Sequence, residues 1–307
     1  MQDWQRSVIY QIYPKSFHSH AGNPTGDLLG VVAKLDYLHW LGVDCLWITP
    51  FLRSPQRDNG YDISDYYAID PSYGTMADCE LLIAEAGKRG IKLMLDIVVN
   101  HTSIEHSWFQ QARSSLDNPY RDFYIWRDQP NNWESKFGGS AWEYEAQTGQ
   151  YFLHLFDHTQ ADLNWDNPQV RAEVFKMMRF WRDKGVGGFR LDVINLISKP
   201  ADFPDDDSDG RRFYTDGPNV HEYLQQMHRE VFEGHDLINV GEMSSTSLEH
   251  CIRYSRPESK ELSMTFNFHH LKVDYPNLQK WIRADYDFLE LKRILSDWQT
   301  GMQAGGG

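Results

Sequence analysis

Near the middle of the chain lies the stretch GFRLDVIN, residues Gly188–Asn195. Its apolar character predicts a short strand, and alternate side chains of a strand point to the same face. Arg190 and Asp192 are therefore expected to be neighbours. A guanidinium keeps an adjacent aspartate ionised at neutral pH, which a carboxylate nucleophile requires. For an isolated pair of this kind, however, a structural ion pair at a strand end is the commoner explanation.

Strands and helices alternate in the first hundred residues. Apolar runs typical of buried parallel strands occupy residues 8–14, 45–50 and 92–99. Residues 27–41 and 75–90 between them carry helical periodicity and helix-ending glycines. This β-α-β-α-β order predicts a parallel sheet with right-handed crossovers.

The same alternation resumes in the second half of the chain. A helix is predicted from Asn167 to Gly185, and a second one from Asn219 to Phe232. Strands are predicted at residues 237–243 and 262–268, followed by a helix at about 288–299. With 307 residues, the chain exceeds one ordinary domain unless the fold is an α/β barrel.

Residues 102–166 interrupt this rhythm. They are rich in Trp, Tyr, Asn and Gly, lack helical periodicity and contain a predicted hairpin at 142–155. Because a structureless loop of this length is improbable in a compact domain, we predict an inserted subdomain. The expected division is a barrel domain of residues 1–101 and 167–307 with a subdomain of residues 102–166.

Acidic residues lie near the ends of three consecutive predicted strands: Asp96, Asp192 and Glu242. Adjacent parallel strands are about 4.8 Å apart, and functional groups of such folds gather at the C-terminal rim. Asp192 and Glu242 could then reach the roughly 5–5.5 Å spacing of a retaining glycosidase pair. Asp192 would be the nucleophile, and Glu242, facing another carboxylate among apolar neighbours, would hold its proton as the acid/base. Taken singly, each residue is equally explained as a solvated acid.

Composition narrows the classes of partner. The net charge of −14 and the lack of a basic run argue against nucleic acid. No run is long and apolar enough to cross a bilayer, and no secretory segment opens the chain. Cys45, Cys79 and Cys251 lack metal-type spacing, which favours reduced thiols in a cytoplasmic protein. The 11 Trp and 16 Tyr suit sugar faces, although core packing is their default role. No cofactor is predicted, and the oligomeric state is left open.

Four stretches together make the chain recognisable. They are DIVVNH (96–101), QADLN (160–164), GFRLD (188–192) and GE (241–242). With them the chain resembles the α-amylase superfamily of glycoside hydrolases. The resemblance implies a (β/α)8 TIM barrel with a small domain inserted after the third strand.

The resemblance also implies roles for individual residues. Asp192 aligns with the nucleophile and Glu242 with the general acid/base. Asp96 and Asn100 are implied to support the site rather than to react. Four further residues are implied as contacts to the bound sugar: Asp58, Tyr61, His101 and Arg190.

Within the superfamily, residues 193–199 (VINLISK) are similar to the oligo-1,6-glucosidase group, which releases glucose from chain ends. Residues 210–218, 241–246 and 264–275 are similar to the trehalose-6-phosphate hydrolases of that group. These enzymes split an α,α-1,1 link into glucose and glucose 6-phosphate. A phosphorylated substrate calls for cations near its second sugar. The candidates, each also explained as a solvated surface charge, are Arg211, Arg212, Lys272 and Lys280.

Two departures from the family pattern matter. The loop that often binds calcium in relatives corresponds to residues 19–27, which keep only Asn23 and Asp27 as side-chain oxygen ligands. Because Ca²⁺ takes six or more oxygens, we expect no tight metal site there. The family's third essential carboxylate belongs after the seventh strand, beyond Gly307. The resemblance therefore implies the N-terminal part of an incomplete barrel with about six of eight strands, whose open edges would limit its stability.

Three functional hypotheses follow. The first is a retaining glycoside hydrolase that cleaves trehalose 6-phosphate. The second is an oligo-1,6-glucosidase or dextran glucosidase, which would use Asp192 and Glu242 identically. The third is a non-catalytic barrel scaffold or an inactive fragment. The presence of Asp192, Glu242, Arg190 and His101 argues against a scaffold, since such relatives have lost acids.

Overall fold

The centre of the protein is a sheet of six parallel strands. The computed structural model describes residues 3–20, 22, 24–276, 282 and 284–307. The strands lie side by side in chain order, and each pairs with its neighbour in parallel. They are β1 (Ile9–Ile12), β2 (Cys45–Ile48), β3 (Lys92–Val98), β4 (Gly188–Asp192), β5 (Ile238–Glu242) and β6 (Met264–Phe266).

The sheet curls into a half-barrel. β2 and β6 are not hydrogen-bonded neighbours, yet the rings of Trp47 and Phe266 lie 5.9 Å apart across the concave side. Apolar side chains from alternate positions, among them Cys45, Met94 and Val240, fill the interior between the strands. This curled sheet of six strands confirms the predicted incomplete barrel.

Helices connect successive strands, as the alternation predicts. α1 (Leu28–Ala33) and α2 (Leu35–Trp40) follow β1, α3 (Met76–Lys88) follows β2 and α4 (Pro168–Asp183) precedes β4. α5 (Val220–Met227), continued by a π-helical turn at His228–Phe232, follows β4, α6 (Leu248–Ser255) follows β5 and α7 (Phe288–Gly305) follows β6. Shorter helices occupy Pro14–Phe17, Ser107–Ala112 and Arg211–Tyr214, and 3-10 turns occupy Asp3–Arg6, Arg121–Phe123, Ile194–Leu196, Pro257–Ser259 and His269–Lys272.

Helix starts agree with the sequence signals, whereas one helix interior does not. Thr75 and Asp78 form a capping box at the start of α3, and Asn167 caps α4 before Pro168. The helix predicted over 27–41 is instead two helices that meet at Lys34, which leaves helical geometry at φ −105° and ψ 3°. No glycine or proline marks this break, so the periodicity of the apolar residues alone could not reveal it.

The polar segment 53–67 contains part of a strand pair. Leu52–Arg53 pairs antiparallel with Asp65–Ile69. Buried Asp62 supports the connection, accepting from the Ser54 hydroxyl (2.7 Å) and from the main-chain N–H of Arg57 (3.0 Å). A buried carboxylate bound in this way organises a polar segment that lacks apolar alternation.

The inserted segment has its own small sheets. The predicted hairpin is confirmed, since Trp142–Glu145 pairs with Gln150–Leu153, and Trp126–Arg127 completes three antiparallel strands. His101–Ser103 pairs with Gln160–Asp162 where the segment leaves and rejoins the barrel. The default role predicted for the aromatic residues holds for several tryptophans, of which Trp133, Trp165 and Trp181 are fully buried.

All three cysteines are free and buried. Burial raises the pKa of the Cys45 thiol to about 12, so this residue packs as an apolar group in the barrel interior. In the described ranges, no helix has both the length and the apolar character needed to cross a bilayer.

Candidate active site

Arg190 gathers three carboxylates at the C-terminal rim of the sheet. Its Nη1 donates to Asp96 Oδ1 (2.8 Å) and to Asp192 Oδ1 (2.5 Å), while Nη2 donates to Glu242. The strand register explains the cluster, because Arg190 pairs with Asp96 on β3 and with Val240 on β5. Asp192 and Glu242 each lie two residues further along, on the same face.

The three acids compete for one cation in a buried setting. Burial, reinforced by the charge of Asp192, raises the pKa of Glu242 to about 8. Burial also raises the pKa of Asp96 to about 6, although the charge of Arg190 opposes this rise. Burial would lower the pKa of Arg190, but the surrounding carboxylates outweigh it and hold that pKa above its usual value. Glu242 is therefore the acid of the cluster that carries a proton at neutral pH.

Aromatic rings enclose the guanidinium. The ring centroids of Trp47, Tyr61 and Phe266 lie 5.1, 5.7 and 5.5 Å from the guanidinium carbon Cζ of Arg190. Trp47 Nε1 and the Tyr61 hydroxyl also donate to Asp96 Oδ2, at 3.0 and 3.1 Å. Asp96 thus has both oxygens engaged and holds its neighbours in place.

Gln160 joins the residues expected to contact sugar. Its Nε2 donates to Asp58 Oδ2 (2.9 Å) and lies 3.2 Å from His101 Nε2. His101 Nε2 is in turn 3.2 Å from the carbonyl oxygen of Tyr61. Asp58, Tyr61 and His101 therefore line one side of the site. Burial raises the pKa of Asp58, and the hydrogen bond from Gln160 partly offsets this rise.

A buried polar network surrounds His101. Lys199 Nζ donates to Asn100 Oδ1 (3.0 Å), which fixes the orientation of that amide. Asn100 Nδ2 then points toward His101 Nδ1 at 3.2 Å. Lys199 is itself buried against Asp162, whose Oδ2 lies 2.7 Å from its ammonium. The network holds the His101 ring toward the site.

Three ring-bearing residues of the site were missed by sequence reasoning. Trp47 and Phe266 face the interior from β2 and β6. The alternation of side chains along these short strands could have predicted this orientation. Phe156 of the inserted segment packs against His101 with ring centroids 5.0 Å apart. Nothing local in the sequence distinguishes Phe156 from the other aromatic residues around it.

The cations considered for phosphate binding differ in their surroundings. Arg211 pairs with Asp209 (3.0 Å), and exposed Arg212 pairs with Asp206 (2.6 Å). Lys272 lies exposed at the end of the turn after β6 and pairs with no carboxylate of the described residues. Lys280 lies outside the described residues.

In the segment 19–27, the described Asp27 stabilises the start of a helix. Asp27 caps α1, accepting from the main-chain N–H of Gly30 (2.6 Å) and of His20 (3.3 Å). Asn23 lies outside the described residues. Within the part of the chain that is described, no group of three or more His, Cys, Asp or Glu side chains could hold a metal ion.

Comparisons with known proteins agree with this geometry. Residues 11–306 match the family model described as alpha amylase, catalytic domain. The trehalose-6-phosphate hydrolase of Bacillus subtilis (strain 168) is 63% identical over 99% of this chain and 55% of its own length. An oligo-1,6-glucosidase of Parageobacillus thermoglucosidasius is 50% identical over 99% of this chain and 56% of its own length.

A solved structure is equally similar. The crystal structure of Bacillus licheniformis trehalose-6-phosphate hydrolase superposes with a TM-score of 0.97 at 63% identity, over 99% of this chain and 56% of that one. The chain thus spans a little over half the length of the relatives it matches. From its motifs, its curled sheet and these matches, the chain belongs to the α-amylase family.

Proposed function

We propose that this chain carries the nucleophile and the acid/base of a retaining glycoside hydrolase. One observation carries the proposal: Asp192 and Glu242 are held on the two Nη atoms of Arg190, and burial beside Asp192 raises the pKa of Glu242 to about 8. A retaining mechanism needs one ionised and one protonated carboxyl group on adjacent positions.

The reaction follows from the placement of these two carboxyl groups. Asp192 Oδ2, the oxygen not bonded to Arg190, attacks C1 of the glucosyl unit and forms a covalent ester. The C1–O bond to the leaving sugar breaks, and Glu242 transfers its proton to the departing oxygen. Water then gives a proton to Glu242 and attacks C1, which releases glucose with retained configuration and restores both residues.

The proposed glucosyl site is formed by Asp58, Tyr61, His101 and Arg190. Gln160 positions Asp58, and the Tyr61 carbonyl oxygen lies 3.2 Å from His101 Nε2, so hydrogen-bonding groups face one side of the pocket. The Tyr61 ring supplies the apolar face that a pyranose needs for stacking. Arg190 holds Asp192 in place by donating from Nη1 to its Oδ1 (2.5 Å).

We propose trehalose 6-phosphate as the substrate, with glucose and glucose 6-phosphate as products. The relatives of B. subtilis and of Escherichia coli (strain K12) that bear this activity in their names are 63% and 60% identical to the chain. Arg211, Arg212, Lys272 and Lys280 remain the proposed phosphate contacts from the sequence. Among the described three, Lys272 has the clearest capacity for a new anion, because the two arginines are already paired.

Oligo-1,6-glucosidase activity is the second candidate. It is supported by relatives of that name at 50% identity across nearly the whole chain.

We also propose a division into domains and a location. Residues 1–101 and 167–307 form the catalytic barrel, and residues 102–166 form its inserted subdomain. A cytoplasmic location is consistent with the three free thiols.

A substrate panel tests the proposal. We expect the full-length protein to hydrolyse trehalose 6-phosphate with a higher kcat/KM than trehalose or isomaltose. NMR recorded early in the reaction should show that the glucose is released as the α-anomer. A preference for isomaltose would select the second candidate, and release of the β-anomer would contradict the two-step mechanism.

A further inference from the structure

Lys136 extends from the inserted segment to the rim of the proposed active site. Its main-chain N–H donates to Leu155 O (2.8 Å), which anchors the residue to the subdomain. Its Nζ donates to Ser244 Oγ (3.0 Å) and lies 5.3 Å from the centroid of the Tyr214 ring. Because Ser244 is only two residues beyond Glu242, the ammonium lies beside the proposed acid/base.

The ammonium of Lys136 has no counter-ion among the described residues. The charged groups around it are Arg211, Asp209, Lys272 and Glu242. Asp209 is engaged by Arg211, and Glu242 by Arg190. Burial, reinforced by the positive charge of Arg211, lowers the pKa of Lys136 to about 8. Burying a cation without an anion is costly, and this chain retains two further cations beside it.

We propose that Lys136, together with Lys272, binds the phosphate group of the leaving sugar. This inference rests on the proposed hydrolase function and deepens it. A phosphate monoester carries a charge of about −1.5 to −2 at neutral pH and offers three strong acceptor oxygens. Such a group would supply the missing counter-charge for both lysines.

The position of Lys136 assigns it to the leaving sugar rather than to the glucosyl unit. The glucosyl side is lined by an acid, an imidazole and an amide, namely Asp58, His101 and Gln160. Glu242 must contact the oxygen of the departing sugar in order to protonate it. Lys136 is bonded to the segment directly following Glu242, so its ammonium faces the departing group.

Substitution of Lys136 separates phosphate recognition from catalysis. In Lys136→Gln we expect kcat/KM for trehalose 6-phosphate to fall on the order of 10- to 100-fold, the effect of one lost charge-assisted hydrogen bond. For isomaltose we expect a change of less than about threefold, since no charged group of that substrate is involved. Lys176→Gln is the matched control, because Lys176 is an exposed lysine paired with Glu173 on α4. Equal losses on both substrates, or no loss on either, would overturn the assignment.

The pH dependence gives a readout that a purely structural role would not produce. The ratio of kcat/KM for trehalose 6-phosphate to that for isomaltose cancels the titration of Glu242. In the wild type this ratio should fall as the pH rises through about 8, because Lys136 loses its charge. In Lys136→Arg it should stay constant over the same range, because a guanidinium does not titrate there. A wild-type ratio that stays flat above neutrality would also contradict the proposal.

Inhibition by glucose 6-phosphate distinguishes the failure of this inference from failure of the proposed function. With isomaltose as substrate, glucose 6-phosphate should inhibit the wild type more strongly than Lys136→Gln, and glucose should inhibit both equally. If the two proteins differ in this way but trehalose 6-phosphate is not hydrolysed, the phosphate site is retained and the proposed substrate is rejected. If trehalose 6-phosphate is hydrolysed but glucose 6-phosphate inhibits Lys136→Gln as strongly as the wild type, the proposed function is retained and the role of Lys136 in phosphate binding is rejected.

Discussion

Asn195 binds the main chain of Ser244 through both polar atoms of its side-chain amide. Its Nδ2 donates to Ser244 O and its Oδ1 accepts from Ser244 N, both at 2.9 Å. Asn195 is fully buried and lies three residues after Asp192, whereas Ser244 lies two residues after Glu242. One amide therefore couples the segments that follow the two proposed catalytic residues. Through Ser244 Oγ, the same coupling sets the position of Lys136.

Removal of this amide should impair both catalysis and stability. In Asn195→Ala, the N–H and C=O of Ser244 lose their partners, a cost of about 1–3 kcal/mol in unfolding free energy. We expect kcat/KM to fall on the order of tenfold or more, because the segment carrying Glu242 is no longer fixed. Steady-state kinetics and urea denaturation measure the two effects. Asn118→Ala is the control: it removes a half-buried amide whose side-chain partners, the Ser114 hydroxyl and the Tyr120 N–H, lie within four residues of it, and it should leave kcat/KM unchanged. A fully active Asn195→Ala protein would contradict the coupling.

The acidic cluster could be predicted because its signals are local. Arg190 and Asp192 share a strand face by alternation, and the alternation of strands and helices places β3, β4 and β5 next to one another. The contacts that complete the site could not be predicted in this way. The Asn195–Ser244 pair spans 49 positions and the Lys136–Ser244 pair spans 108, so both depend on how the loops pack.

The chain just after Asp192 illustrates the limit. The apolar run to Asn195 suggests a continuing strand, but β4 ends at Asp192 and a 3-10 turn occupies Ile194–Leu196. Val193 between them has a left-handed conformation with φ 38°, which is rare for a β-branched residue. Its side chain packs in a buried cluster with Trp133 and Tyr214, and this tertiary packing overrides its local preference.

Replacing the proposed nucleophile tests the covalent mechanism. Asp192→Asn keeps the size of the side chain and a hydrogen-bonding oxygen for Arg190 but removes the attacking carboxylate. We expect kcat/KM to fall on the order of a thousandfold or more, with the thermal unfolding midpoint close to that of the wild type. Asp183→Asn, at an exposed acid paired with Arg182, is the matched control and should retain activity. Activity of Asp192→Asn near the wild-type level would be incompatible with a covalent intermediate on this residue.

Activity on an unphosphorylated substrate should decline at alkaline pH. Glu242 must be protonated to serve as the acid, and its pKa is about 8. The kcat/KM for isomaltose is therefore expected to fall about tenfold per pH unit well above that pKa. Glu242→Gln should lose this alkaline limb when assayed with a 4-nitrophenyl glucoside, whose leaving group needs no proton. Persistence of the same limb in Glu242→Gln would assign the titration to another group.

Glu242 should also make the stability of the protein depend on pH. Its pKa rises from an ordinary value of 4.5 to about 8 on folding, so the folded state binds more protons between these values. The contribution of Glu242 to the unfolding free energy is thus fully present below about pH 4.5 and is lost as the pH rises through about 8. The slope from this one group is at most about 1.4 kcal/mol per pH unit.

Glu242→Gln removes the titrating group while keeping its shape, so the difference in stability between variant and wild type isolates this effect. We expect that difference to shift in favour of the variant as the pH rises from about 5 to about 8, and to level off above that range. Urea denaturation at a series of pH values measures it, with Glu230→Gln, at an exposed acid paired with Arg179, as the control. The control should show little of this dependence, because an exposed pair contributes at most about 1 kcal/mol. A stability difference that is independent of pH would mean that Glu242 is as ionised in the folded state as in the unfolded one, and would remove the basis for its role as the acid.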